Sequence, residues 1–147
     1  MLESGSTGNK RPTITKQDES LSIKKENGTV VDYFLFDKFE VHTNSIPAGC
    51  VQDWHIHNDI EEIILVHEGS LHLEWIETER IEQEVQTGEI IRMNKSIHRL
   101  SNPGTSEAKC VIIRFVSPTE NQQEKIKNDK IIYSDAEIEQ LLQKNKA

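Results

Sequence analysis

Turn signals break this sequence at short, nearly even intervals, and that punctuation limits the fold more than any other feature. Asn27-Gly28, Pro47-Ala48-Gly49, Asn58-Asp59, Glu68-Gly69, Gly88 and Asn102-Pro103-Gly104 each interrupt the chain. Asn-Gly favours the tight hairpin turn, and the Gly, Pro, Asn and Asp clusters are general turn formers. The runs between them are rich in β-branched and aromatic residues. They read as strands at Leu21–Ile23, Thr29–Phe36, Phe39–Ile46, Glu62–His67, Ser70–Ile76, Arg80–Val85, Glu89–Met93, from His98 onward, and at Cys110–Val116. Many short strands separated by turns predict an all-β antiparallel sandwich or barrel.

The ends differ from this middle. Residues 1–20 are polar and lack apolar periodicity, which predicts a disordered or loosely attached arm. Residues 21–117 hold the strand series. Residues 118–147 turn to Asn, Gln, Glu and Lys, a polar linker that ends in a helix. Ser134-Asp135-Ala136-Glu137 fits a capping box, and Ile138, Leu141 and Leu142 follow at helical spacing. The expected helix runs from about Asp135 to Lys144, with its apolar stripe on the barrel.

The 147 residues suffice for one domain with a real core. Charged residues make up 29% of the chain and the net charge is −8, which disfavours a nucleic-acid partner. No apolar run approaches the ~20 residues of a membrane span, and no apolar signal core follows Met1. Cys50 and Cys110 are therefore expected as free thiols in a reducing cytoplasm.

One stretch carries chemistry. His55 and His57 are two apart, and alternate strand residues share a face, so both imidazoles can aim at one point. A carboxylate follows at Glu61 or Glu62, and a third imidazole, His98, comes later. Three imidazoles and a carboxylate make a cage for a divalent transition metal.

This stretch resembles the first motif of the cupin superfamily, G-x5-H-x-H-x3,4-E-x6-G. Gly49, His55, His57, Glu62 and Gly69 satisfy it; choosing Glu61 instead would put Gly69 one residue too far. The second motif, G-x5-P-x-G-x2-H-x3-N, is matched at Gly88, His98 and Asn102. Asn94 and Ser96 replace its Pro and Gly, and its turn is one residue shorter. The resemblance spans roughly Val30 to Val116. It implies a double-stranded β-helix (jelly roll), a metal held by His55, His57, Glu62 and His98, and a homodimer. Iron, manganese, nickel, zinc and copper all suit such mixed donors.

The remaining candidates are weaker. His67 is five residues beyond Glu62 and has the wrong strand parity for a ligand. His42 and His72 have no partner at ligand spacing. Trp54 should pack away from the pocket, and Cys50 should act as a small buried hydrophobe. Arg114, inside an apolar run, needs an acidic partner or serves as an anion clamp, and Arg92 has the same two options. The resemblance leaves two functions: metal-assisted chemistry on a small polar molecule, or a module that binds or senses a sugar or small acid, with or without metal. Fold alone does not choose between them.

Overall fold

A computed structural model describes residues 2–3, 10–115 and 126–146. Its strands are β1 (Leu2–Glu3), β2 (Leu21–Lys24), β3 (Val30–Phe36), β4 (Phe39–Ile46), β5 (Trp54–His57), β6 (Glu61–Glu68), β7 (Ser70–Ile76), β8 (Arg80–Gln86), β9 (Ile90–Arg92), β10 (Ile97–Ser101), β11 (Ala108–Phe115) and β12 (Lys130–Tyr133). One helix, α1 (Asp135–Asn145), follows. The strands form two sheets. Sheet A runs β1-β3-β4-β11-β6-β9, with β2 also on β3; sheet B runs β12-β5-β10-β7-β8. All pairings are antiparallel except that of β1 with β3. This is the expected all-β jelly roll. Residues 116–125, Val116 among them, lie outside the described residues, as do residues 1 and 4–9 of the expected arm and residue 147.

The turns explain the strand order. Asn27-Gly28 closes the β2–β3 hairpin with Gly28 at φ +92°, a left-handed conformation that glycine adopts without a Cβ clash. Asn94, in place of the motif proline, sits at φ +53°. Asparagine tolerates that region better than most side chains. Asn102 holds the following loop by donating to the Ile46 and Ser106 carbonyls and accepting from the Gly104 amide.

Register sorts the interior into two ends. On sheet A, Glu40, Arg114 and Glu62 are aligned across β4, β11 and β6. The next aligned set is His42, Ile112, Ile64 and Ile91, and the one after is Asn44, Cys110 and Val66. Aligned residues on adjacent strands share a face. The barrel is therefore charged at one end and increasingly apolar toward the other. There Ile46, Val66, Leu71, Val85, Leu100 and Ala108 form a continuous core. Fully burying one such side chain stabilises the fold by roughly 1.5–3 kcal/mol.

The sequence pattern missed β12. It lies in the segment read as a polar linker, yet it pairs with β5 at the edge of sheet B. Ile131, Ile132 and Tyr133 are good strand formers, but a four-residue strand in polar surroundings shows no alternation long enough to read. Helix α1 starts with the expected capping box: the Ser134 hydroxyl accepts from the Glu137 amide and the Glu137 carboxylate accepts from the Ser134 amide. Ile138 is buried, whereas Leu141 and Leu142 are half-buried. Polar contacts flank the helix, with Arg80 facing Glu139, Arg99 facing Asp135, and Asn145 donating to the Glu77 carbonyl.

Candidate metal centre

His55, His57, Glu62 and His98 come from β5, β6 and β10 and meet inside the charged end of the barrel. One donor atom from each lies within 4.8 Å of the others. All four side chains are buried. His55 and His98 are directly cross-strand, with ring centroids 4.4 Å apart. His57 Nε2 is 3.4 Å from Glu62 Oε2, and His98 Nε2 is 3.8 Å from Glu62 Oε1.

Backbone carbonyls fix two of the tautomers. His55 Nδ1 donates to the Asp53 carbonyl at 2.8 Å, and His98 Nδ1 donates to the Ser96 carbonyl at 2.9 Å. A proton on Nδ1 leaves the lone pair on Nε2. Burial also keeps the rings neutral. Desolvation lowers the His55 pKa to about 3 and the His57 pKa to about 4, against a nearby Glu62 that pulls each upward. His98 is lowered for the same reason. Neutral imidazoles with free Nε2 lone pairs are the form that ligates a metal.

Glu62 is the ionised member. Burial, the largest single influence, would raise its pKa, but the Arg114 guanidinium together with the His57 and His98 imidazoles outweighs it and holds the carboxyl at about 2. Arg114 Nε donates to Glu62 Oε2 at 2.5 Å, and Arg114 Nη1 lies 3.9 Å from Glu40 Oε1. The sequence alternatives for Arg114 thus resolve to an ion pair, and its partner is the candidate ligand. The chain also separates the two adjacent glutamates. Glu62 points inward, whereas Glu61 pairs with Arg92 on the surface at 2.6 Å.

The donor set fits a metal ion on the evidence of its own orphaned atoms. Among the described residues, the Nε2 atoms of His57 and His98 are buried and have no hydrogen-bond partner. Leaving such an atom unsatisfied costs about 1–3 kcal/mol, so natural interiors rarely keep one without a reason. A divalent cation between these nitrogens and Glu62 would satisfy both.

The other expectations stand as follows. His67 is exposed. His72 faces Glu82 at 3.1 Å on the partly solvated sheet. His42 is buried and satisfied, with Nε2 2.6 Å from Glu40 Oε1. Trp54 is buried under the Arg99 guanidinium, 4.6 Å from the ring centroid. Both cysteines are free and buried, and burial pushes the Cys110 thiol up to about 12, which removes it as a nucleophile at neutral pH. Sequence reasoning missed Asp129. Its carboxylate accepts from the amides of Asp59 and Ile60 at 3.0–3.2 Å and lies 3.9 Å from His57 Nδ1. No local pattern joins residues 70 positions apart. His42 and Glu40 were likewise legible only as alternate strand residues.

A double-stranded β-helix with three inward imidazoles and a buried carboxylate defines a class of barrel proteins built around a buried polar site. The chain belongs to the cupin-domain family, whose model matches residues 32–114. No curated protein matches the sequence. Among solved structures it is similar to a sugar phosphate isomerase of the cupin superfamily from Silicibacter pomeroyi, with a TM-score of 0.55 and 18% identity over 63% of this chain and 62% of that one. It also resembles the capsular polysaccharide assembling protein CapF from Staphylococcus aureus, with a TM-score of 0.63 and 18% identity over 78% of this chain and 34% of that one. The hydroxypropylphosphonic acid epoxidase from S. wedmorenis, solved with fosfomycin, gives a TM-score of 0.58 and 18% identity over 76% and 63% of the two chains. The chain thus spans less than two thirds of each of these proteins. At such identities the likeness describes the fold. No helix among the described residues is long and apolar enough to cross a membrane.

Proposed function

We propose that residues 21–117, completed by the segment that follows, form a metal-dependent cupin that binds and transforms a small polar molecule. The metal is a divalent transition ion held by His55, His57, Glu62 and His98. One observation carries the reading: two buried imidazole nitrogens without partners face an ionised, buried carboxylate. When bound, such an ion supplies Lewis-acid or redox chemistry at positions the protein leaves open.

The protein's own residues prepare that centre. The Asp53 and Ser96 carbonyls hold His55 and His98 in the ligating tautomer. Arg114 keeps Glu62 ionised and fixes one of its oxygens, so the carboxylate enters in one orientation. Asp129 pins the turn that follows His57. The neutral rings need not shed a proton to bind, so loading competes little with protonation near neutral pH. A homodimer and a cytoplasmic setting complete the proposal; the two buried thiols suit a reducing compartment.

The test is metal analysis of protein purified without an immobilised-metal column, together with melting temperatures before and after chelation. We expect about one equivalent of a transition metal per chain and a lower melting temperature once it is removed. A hundredfold excess of free metal over Kd contributes about 2.7 kcal/mol. Metal-free protein with a melting temperature indifferent to added iron, manganese, nickel, zinc and copper would sink the reading.

A further inference from the structure

A cavity of about 840 Å³ opens beside the metal centre, and Arg114 is common to both. Four cations, Lys25, Lys127, Lys130 and Arg114, line it against one carboxylate, Glu40. That balance opposes the chain as a whole, which carries −8. Arg114 is committed to Glu62 and Glu40, which leaves the lysines as the cations available to a ligand. Among the described residues, Lys25 and Lys130 have no carboxylate within ion-pair distance.

Strand geometry brings these two lysines to the same place. Lys130 on β12 is paired directly with His57, so its side chain shares the face that carries the imidazoles. Leu21 and Ile23 line the cavity from β2, and Lys25 continues their alternation just past the strand end. The wall beside them is apolar, with Leu21, Ile23, Leu35 and Ile126. Leu21 and Ile23 remain nearly half exposed, so their apolar surface is open to whatever enters the cavity.

We propose that this cavity seats a small organic anion, with its compact oxyanion group between Lys25 and Lys130 and its short carbon skeleton against Leu21, Ile23 and Leu35. The assignment deepens the metal-centre reading and rests on it for the place of the anion's reacting end. The electrostatics agree. Both lysines are solvent-exposed overall, yet desolvation first and neighbouring cations second hold each ammonium below its ordinary pKa. For Lys130 the first of those cations is Lys25. An anion between them relieves that repulsion. A positive mouth on an acidic protein also draws anions in preference to neutral or cationic solutes.

The experiment uses the full chain and three probes: pentanoate, butylphosphonate and the neutral isostere pentanamide. Binding is measured by calorimetry on metal-loaded and chelated protein, with metal content read separately. At least one of the two anions should bind about tenfold or more tightly than the amide, because a charged oxyanion accepts stronger hydrogen bonds from ammonium groups than a neutral amide does. Lys25→Gln with Lys130→Gln should erase that preference without altering metal content, and Lys25→Arg with Lys130→Arg should restore it. Preference for pentanoate assigns a carboxylate, and preference for butylphosphonate a phosphate-like group. Equal binding of acid and amide, or an acid preference that survives in the double Gln variant, overturns the proposal. Protein that takes up no transition metal yet keeps the acid preference would count against the metal reading alone.

Discussion

At the residue scale the two adjacent glutamates offer the sharpest contrast. Glu62→Gln removes the ionised donor, so the metal-linked rise in melting temperature should vanish. Glu61→Gln breaks only the surface pair with Arg92 and should preserve it, since solvent screens an exposed pair and leaves it little effect. His57→Ala and His98→Ala should behave like Glu62→Gln, and His67→Ala like Glu61→Gln. Melting curves with and without chelator decide all five. Arg114→Met should have a larger effect on the fold itself. It leaves Glu62 buried without its counter-charge, a change that typically costs 3–5 kcal/mol. Urea denaturation measures this, and a loss under about 1 kcal/mol would show that solvent reaches the carboxylate. The buried rings also set an acid limit. Their folded pKa values lie below the ordinary 6.5, at about 3 for His55 and about 4 for His57. Below pH 6.5 the unfolded chain takes up protons that the folded chain refuses, so stability is complete above that pH and declines toward the folded values. Glu62 adds to the same loss lower down, between its ordinary 4.5 and about 2. The urea midpoint of chelated protein should therefore fall steadily on acidification from neutral pH. A flat midpoint down to about pH 4 would contradict the neutral, buried rings.

At the element scale the segment after residue 125 belongs structurally to the barrel. Strand β12 covers the open edge of the histidine strand, and Asp129 just before it ties down the turn at Asp59 and Ile60. Asp129→Ala should cost about 1–3 kcal/mol, because it strips an acceptor from two amides. It should also speed hydrogen exchange at Asp59 and Ile60, and unchanged exchange there would show that the carboxylate is dispensable. In α1 the three apolar residues are not equivalent. Ile138 is 2% exposed, so Ile138→Ser should cost roughly 1.5–3 kcal/mol, with Leu141 and Leu142 costing less. Sequence periodicity found the helix and its cap because both are local. It could not rank the stripe, because burial depends on what the helix lands on.

At the scale of the molecule, the outer face of sheet A bears on assembly. Phe39 pairs with Phe115, Val41 with Ile113, and Ile113 with Ile63, all on the side away from the metal centre. Leu65 and Ile90 are also directly paired on this face. Phe39, Leu65, Ile90, Ile113 and Phe115 are exposed. Contiguous apolar surface of this kind marks an interaction site, and Glu61 with Arg92 on the same sheet supplies both signs of charge for a self-complementary border. The proposed homodimer should form here. Light scattering should give a dimer mass at micromolar concentration, and Ile113→Lys should halve it without loss of metal. A monomeric wild type would remove the idea.

The spacing of turns and the alternation of apolar residues already determined an antiparallel barrel, because strand formation and turn geometry are properties of a few neighbouring residues. Likewise, His55 and His57 were bound to share a face wherever the strand lay. Motif spacing favours Glu62 over Glu61 as the site carboxylate, and the structure turns the Glu62 side chain inward and the Glu61 side chain outward to Arg92. Tertiary structure alone decided that Arg114 pairs with Glu62, that Asp129 reaches the turn after His57, and that Lys25 and Lys130 share a cavity. Each joins residues distant in sequence, and only strand register sets their separation. A register shift of one residue would reverse every inward and outward side chain.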